Sequence, residues 1–120
     1  MAKILLADDD RATLDLLRRA LELDGHAVVT AEDGNLALAE LQSRGPFDVL
    51  VTDVQMPGLD GVGLATTALA SLPDLRIVMV SAHHDSLDGA RTVPARHLRL
   101  LPKPFTIDAI RGEIRSVLAA

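Results

Sequence analysis

Asp8, Asp9, Asp53, Ser81 and Lys103 are the residues of this chain whose types suggest chemistry, and each follows closely on a short apolar run. Three carboxylates gathered in one place repel one another unless a divalent ion or a nearby lysine offsets them. Mg2+ suits such a site because it prefers hard oxygen ligands, commonly one or two carboxylates together with waters and a phosphate oxygen. The metal would polarise an incoming phosphoryl group while Lys103 and the Ser81 hydroxyl hold its other oxygens, which leaves Asp53 as the nucleophile by position. An aspartyl phosphate is labile enough to serve as a reversible mark.

This chemistry requires the five residues to meet, and the apolar runs show how. They are ILLA at 4–7, VLVT at 49–52, IVMV at 77–80 and LRLL at 98–101, with HAVVT at 26–30 as a fifth candidate. The first three are continuous rather than alternating, as expected of parallel strands covered on both faces, although buried helix segments look similar over so few residues. Helical stripes lie between them: Leu14, Leu17 and Leu21 before Gly25, then Leu38 and Leu41 up to Gly45 and Pro46. Val62, Ala65 and Leu69 form a third stripe ending at Pro73, and Ile107, Ile110, Ile114 and Val117 form a last one that Thr106 can cap. The alternation predicts five βα units in an α/β sheet with helices on both faces. Ligands of such sheets gather at the carboxyl ends of the strands, which is where the polar residues fall. The fourth helix is expected to be short or displaced, because residues 84–96 include Gly89 and Pro94.

Four segments, ILLADDD at 4–10, VLVTDVQMPGLDG at 49–61, VMVSAH at 78–83 and LPKPF at 101–105, resemble the response-regulator receiver family over nearly the whole chain. The resemblance implies a flavodoxin-like, doubly wound five-stranded parallel sheet of order 2-1-3-4-5. It implies that Asp8 and Asp9 are the acidic metal-site pair, with Asp9 the direct ligand, and that Asp53 is the phosphoacceptor. The backbone carbonyl of Gln55 becomes a further Mg2+ ligand, Ser81 the switch hydroxyl and Lys103 the phosphate-binding lysine. Gln55 and His83 occupy positions that tune self-dephosphorylation in the family, and the Lys103-Pro104 bond is expected to be cis. The implied partners are a histidine kinase or histidine phosphotransfer protein as donor, and a separate downstream effector. The chain departs from the family at Leu100, where a second switch element is often Tyr, Phe or His. It departs again at Ala95-Arg96-His97, where Gly-Ala-Asp often precedes the fifth strand. Without the aromatic, the weak fourth helix is the expected output surface.

Composition narrows the field. The formal charge of −5 and the aromatic content of only two Phe argue against direct nucleic-acid binding. No cysteine is present, which excludes disulfides and thiolate metal sites and makes a cytoplasmic setting the default expectation. No apolar stretch approaches the ~18 residues of a membrane span. With no linker or repeat, residues 1–120 are expected to form one domain without an attached output domain. Output would then pass to a motor-type target, a phosphotransfer protein or a protease-delivery system, the last because the shortened fourth segment and the stretch from LPKPF to the C-terminus resemble single-domain receivers of that kind. Taken singly, the Asp pair could be a solvated turn or a helix cap and Lys103 a surface charge, but four matching segments in order favour the metal site. His83 and His84 are expected to be loop histidines, and His26 and His97 structural ones. Two other readings stand beside the switch. One is a degenerate receiver that binds partners independently of phosphorylation. The other is an aspartyl-phosphate hydrolase, which usually carries Asp where this chain has Gln55. The switch itself would catalyse only its own phosphorylation and slow dephosphorylation.

Overall fold

The three uninterrupted apolar runs form the inner strands of an all-parallel sheet in the computed structural model, which describes residues 1–120. In chain order the elements are β1 (Lys3–Ala7), α1 (Arg11–Leu23), β2 (Ala27–Ala31), α2 (Gly34–Arg44), β3 (Val49–Asp53), α3 (Gly61–Ser71), β4 (Arg76–Ser81), α4 (His84–Ala90), β5 (Leu98–Pro102) and α5 (Ile107–Ala119). The strand order is β2-β1-β3-β4-β5, the doubly wound, flavodoxin-like arrangement expected. Every residue of β3 is buried, whereas β2 and β5, at the edges, are partly exposed. This is the physical reason the inner strands lack polar alternation: both of their faces are covered.

Successive side chains of each strand enter opposite cores. Leu5, Leu50, Ile77 and Met79 face α2, α3 and α4, where they meet Ala37, Leu41, Leu64, Ala68 and Leu87. Ile4, Leu6, Val49, Val51, Val78 and Val80 face α1 and α5, where they meet Leu14, Leu17, Leu21, Ile110, Ile114 and Val117. The stripes read from α1 and α5 are therefore the buried ones. Truncating a fully buried residue such as Leu50 or Ile114 to Ala costs about 2–5 kcal/mol, a large part of a domain's net stability. No helix is long and apolar enough to cross a membrane.

The helix starts are set by side-chain caps, with Asp10, Asp33, Asp60 and Thr106 accepting from first-turn N–H groups of α1, α2, α3 and α5. The fourth helix is the exception. It has seven residues, its N-cap His83 makes no side-chain cap bond, and Gly89 lies in its last turn. The shortness expected from Gly89 and Pro94 is observed. His26 lies just before β2, and its Nδ1 accepts from the Ala2 N–H at 3.0 Å, tying the start of β1 to its neighbour.

Between α1 and α5, Arg111 donates from Nε to Asp24 Oδ2 at 2.8 Å and also pairs with Asp24 Oδ1. The hydrogen bond from Arg111 holds the Asp24 carboxyl below its usual range. A carboxyl depressed by folding stabilises the native state above its unfolded pKa, near 3.8, and that contribution fades as pH falls through the lower folded value. Asp24→Asn should accordingly lower the urea midpoint at pH 7, and the gap to wild type should narrow once the pH drops below about 4. A gap that is constant with pH would mean that the carboxylate charge contributes nothing.

Candidate functional site

Strand register brings the candidate residues together. Ala7 pairs with Thr52, so that Asp8 and Asp53, one residue on, stand level at the carboxyl edge of adjacent strands. Asp53 pairs with Val80, and Ser81 with Pro102, which sets Ser81 and Lys103 just beyond them on β4 and β5. Carboxylate oxygens of Asp8, Asp9 and Asp53 lie within 4.8 Å of one another. Asp8 and Asp53 are buried and Asp9 is exposed, giving the cluster a solvent-facing side.

The Lys103 ammonium bridges the two buried acids, donating to Asp53 Oδ2 at 2.8 Å and to Asp8 Oδ2 at 3.2 Å. The other oxygen of each carboxylate is satisfied by backbone. The Gln55 N–H donates to Asp53 Oδ1 at 3.0 Å, and the Asp10 N–H to Asp8 Oδ1 at 2.9 Å. Burial pushes the Asp8 carboxyl above its usual range, more than the Asp10 N–H and Lys103 pull it down. Burial also works against the Lys103 charge, but the hydrogen bond to Asp53 and the charge of Asp8 outweigh it and hold the ammonium above its ordinary value. With all three acids ionised, one lysine leaves a formal charge of −2, and every acidic donor is a hard oxygen. This donor set fits a divalent cation of the Mg2+ type.

The remaining expected residues surround this cluster. Ser81 is buried, and its Oγ accepts from the His83 N–H at 3.1 Å. His83 is exposed at the start of α4. Leu100 does not enter the cluster; it lies within β5 opposite Met79 and packs on the core beneath α2, α3 and α4. The Lys103-Pro104 bond is cis, as the resemblance implies, and Gly45-Pro46 is cis as well.

Three features escaped the sequence reading. Asp10, the third acid of its run, caps α1 through Ala12 and Thr13. Thr52 is fully buried beside Asp53, and its hydroxyl donates to the Asp53 carbonyl at 2.9 Å. Ser86 on α4 accepts from Gln55 Nε2 at 2.9 Å. Only Asp10 carried a signal, as an acid directly before a helical stripe.

The family model "Response regulator receiver domain" matches residues 4–115. The chain belongs to the response-regulator receiver family. The receiver is 37% identical over 116 residues to response regulator MprA of Mycobacterium leprae, a match covering 97% of this chain and 50% of that protein. It thus spans about half the length of the curated relatives it matches. Among solved structures, a receiver domain protein from Clostridium thermocellum superposes with a TM-score of 0.87 at 27% identity, covering 99% of this chain and 95% of that one. TrrA of Thermotoga maritima, solved in complex with Mg2+ and BeF, superposes with a TM-score of 0.83 at 26% identity over 98% of this chain and 99% of its own. Two-component signalling is the setting to which such receivers belong.

Close packing ties this edge to α3. The Gly61 N–H donates to the Val54 carbonyl at 2.8 Å, and a Cβ at Gly61 would stand 2.3 Å from the Asp53 carbonyl oxygen. Gly61→Ala should destabilise the receiver by about 1–3 kcal/mol through overpacking and displace the Asp53 backbone. The expected result is a lower urea midpoint together with weaker divalent-cation binding by calorimetry. Full cation affinity in the variant would show that the cluster tolerates that displacement.

Proposed function

We propose that this domain is a phosphoacceptor switch that takes a phosphoryl group from a phosphohistidine onto Asp53, with Mg2+ held by Asp8, Asp9, Asp53 and the Gln55 backbone carbonyl. The observation that carries this reading is the Asp53 carboxylate itself, nearly buried beside two further acids and fixed by a lysine 50 residues away in sequence. A buried structural acid needs a cation, but it does not need two additional carboxylates within 4.8 Å.

Held by those residues, Mg2+ would supply positive charge to offset the three acids and the negative charge of a phosphoryl group. The chain's own residues do the rest. The Gln55 N–H holds Asp53 Oδ1 and so fixes the carboxylate plane. Lys103 sits within hydrogen-bonding reach of the nucleophile and can pass one of its N–H bonds to a phosphoryl oxygen as the P–Oδ bond forms. The Ser81 Oγ accepts from the His83 N–H, which leaves the hydroxyl proton free to donate to another phosphoryl oxygen. The donor's N–P bond breaks as the Asp53 bond forms, and the imidazole departs with the electron pair. Asp53 attack and later hydrolysis are the only catalysis the domain performs. Leu100, beneath α4, takes the second switch position without an aromatic ring to rotate. α4 is then the element whose position reports phosphorylation to an effector.

A groove of about 400 Å3 opens beside Lys103, lined by Thr13, Leu16, Leu17, Phe105 and Ile107 among others. Leu16 is 57% exposed there. An apolar rim next to the acceptor suits the helical surface of a histidine kinase or phosphotransfer protein, which must bring its imidazole to Asp53.

Brief incubation with acetyl phosphate and Mg2+ should add one phosphoryl mass to the wild type. Asp53→Ala, or omission of the metal, should abolish the addition. No adduct in rapidly quenched samples would instead favour a phosphorylation-independent interaction module. Leu16→Asp should slow transfer from a phosphorylated histidine phosphotransfer protein about tenfold or more while leaving loading from acetyl phosphate intact, since a charge in a desolvated contact costs more than 1.4 kcal/mol. Equal slowing with both donors would place Leu16 in the fold rather than in docking.

A further inference from the structure

We infer that Ser86 is a positioning residue for Gln55 and that, through it, Ser86 sets how long a phosphoryl group stays on Asp53; this rests on the phosphoacceptor reading above. Gln55 is attached at both ends. Its backbone N–H belongs to the site, donating to Asp53 Oδ1 at 3.0 Å, and its side-chain Nε2 belongs to α4, donating to Ser86 Oγ at 2.9 Å.

The local structure explains why α4 needs such a contact. The other four helices each start with a side-chain cap, whereas α4 has none. Its first turn is held instead by two bonds from the site: Ser81 Oγ accepting the His83 N–H, and the Gln55 bridge to Ser86. Gln55 therefore links the Oδ1 side of the acceptor to α4, while Lys103 donates to Oδ2.

Hydrolysis of the aspartyl phosphate needs one water on the far side of phosphorus. The water oxygen bonds to phosphorus, the P–Oδ bond breaks, Asp53 leaves as carboxylate with the electron pair, and the water's proton departs with the inorganic phosphate or to solvent. A glutamine carboxamide carries two N–H donors and a carbonyl acceptor, enough to hold such a water if it is free to turn toward it. Ser86 uses one donor and anchors the carboxamide on α4. Removal of the Ser86 hydroxyl frees the carboxamide to turn toward the phosphoryl group, and hydrolysis becomes faster.

The test loads wild type, Ser86→Ala, Ser86→Thr, Gln55→Ala and the Gln55→Ala/Ser86→Ala double variant with acetyl phosphate and Mg2+. Excess reagent is then removed and the loss of phosphoryl mass followed. Ser86→Ala is expected to lose its phosphoryl group about 2- to 10-fold faster than wild type, the scale of one partly exposed hydrogen bond. Ser86→Thr, which keeps the hydroxyl, should restore the wild-type lifetime. In the Gln55→Ala background, Ser86→Ala should change nothing further, because Ser86 acts only through Gln55. A second readout needs no phosphate: amide hydrogen exchange of α4 should rise in Ser86→Ala and Gln55→Ala alike, and no further in the double variant. An unchanged lifetime in Ser86→Ala, or an acceleration that persists undiminished without Gln55, overturns the inference while leaving the phosphoacceptor reading intact. A wild type that takes up no phosphoryl group overturns both.

Discussion

A carboxylate taken out of water needs donors, and the way Asp53 obtains them constrains much of this molecule. One donor is local, the N–H of Gln55 two residues on, and requires only that the chain turn sharply after β3. The other is Lys103, which can reach Asp53 only if β4 lies between β3 and β5 and all three strands end at the same level. Parallel strands joined by right-handed helical crossovers meet that demand. The same lysine also serves Asp8 from β1, so one ammonium joins three strands of the sheet across its carboxyl edge. The cluster is still left short of positive charge, which is the electrostatic reason it suits a divalent cation.

The two cores hold that edge in place, and they do so unequally. α1 and α5 bury long aliphatic stripes against one face and are joined by the Asp24–Arg111 pair. On the other face, α2 and α3 pack through smaller residues, Ala37, Ala65 and Ala68 among them, and come close to the strand ends, as the contact of Gly61 with Asp53 shows. α4 contributes only Leu87 and Ala90 as buried residues. A short, uncapped helix with few buried side chains belongs to the low-stability end of a fold, where modest local changes shift populations. Its ties to Ser81 and Gln55 join it to the end of β4 and to the loop that follows Asp53.

Much of the architecture could be read from the residues. Continuous apolar runs identified the buried strands because both faces of β1, β3 and β4 are covered, and stripes such as Leu14, Leu17 and Leu21 identified helix faces because 3.6-residue periodicity is a local property. Boundaries shifted by a residue or so: β1 and β4 each begin one residue earlier than their runs, at Lys3 and Arg76, because ladder bonding continues past the apolar side chains. Strand order was not local information. The alternation of strands and helices is compatible with more than one order, and the expected 2-1-3-4-5 came from the receiver resemblance of the four motifs.

At the site, the sequence by itself determined which residues would meet, since Asp8, Asp9, Asp53, Ser81 and Lys103 each stand at or just past the carboxyl end of a strand and parallel strands present those ends together. Only the tertiary structure decided how they are connected. That Lys103 bridges Asp8 and Asp53 and that Gln55 turns its side chain to Ser86 both depend on distances between segments far apart in the chain. A hydrogen bond between a loop and a helix 31 residues apart has no period and no composition to announce it. It exists because packing has already fixed both partners, and a polar group at such a junction takes the nearest satisfied geometry.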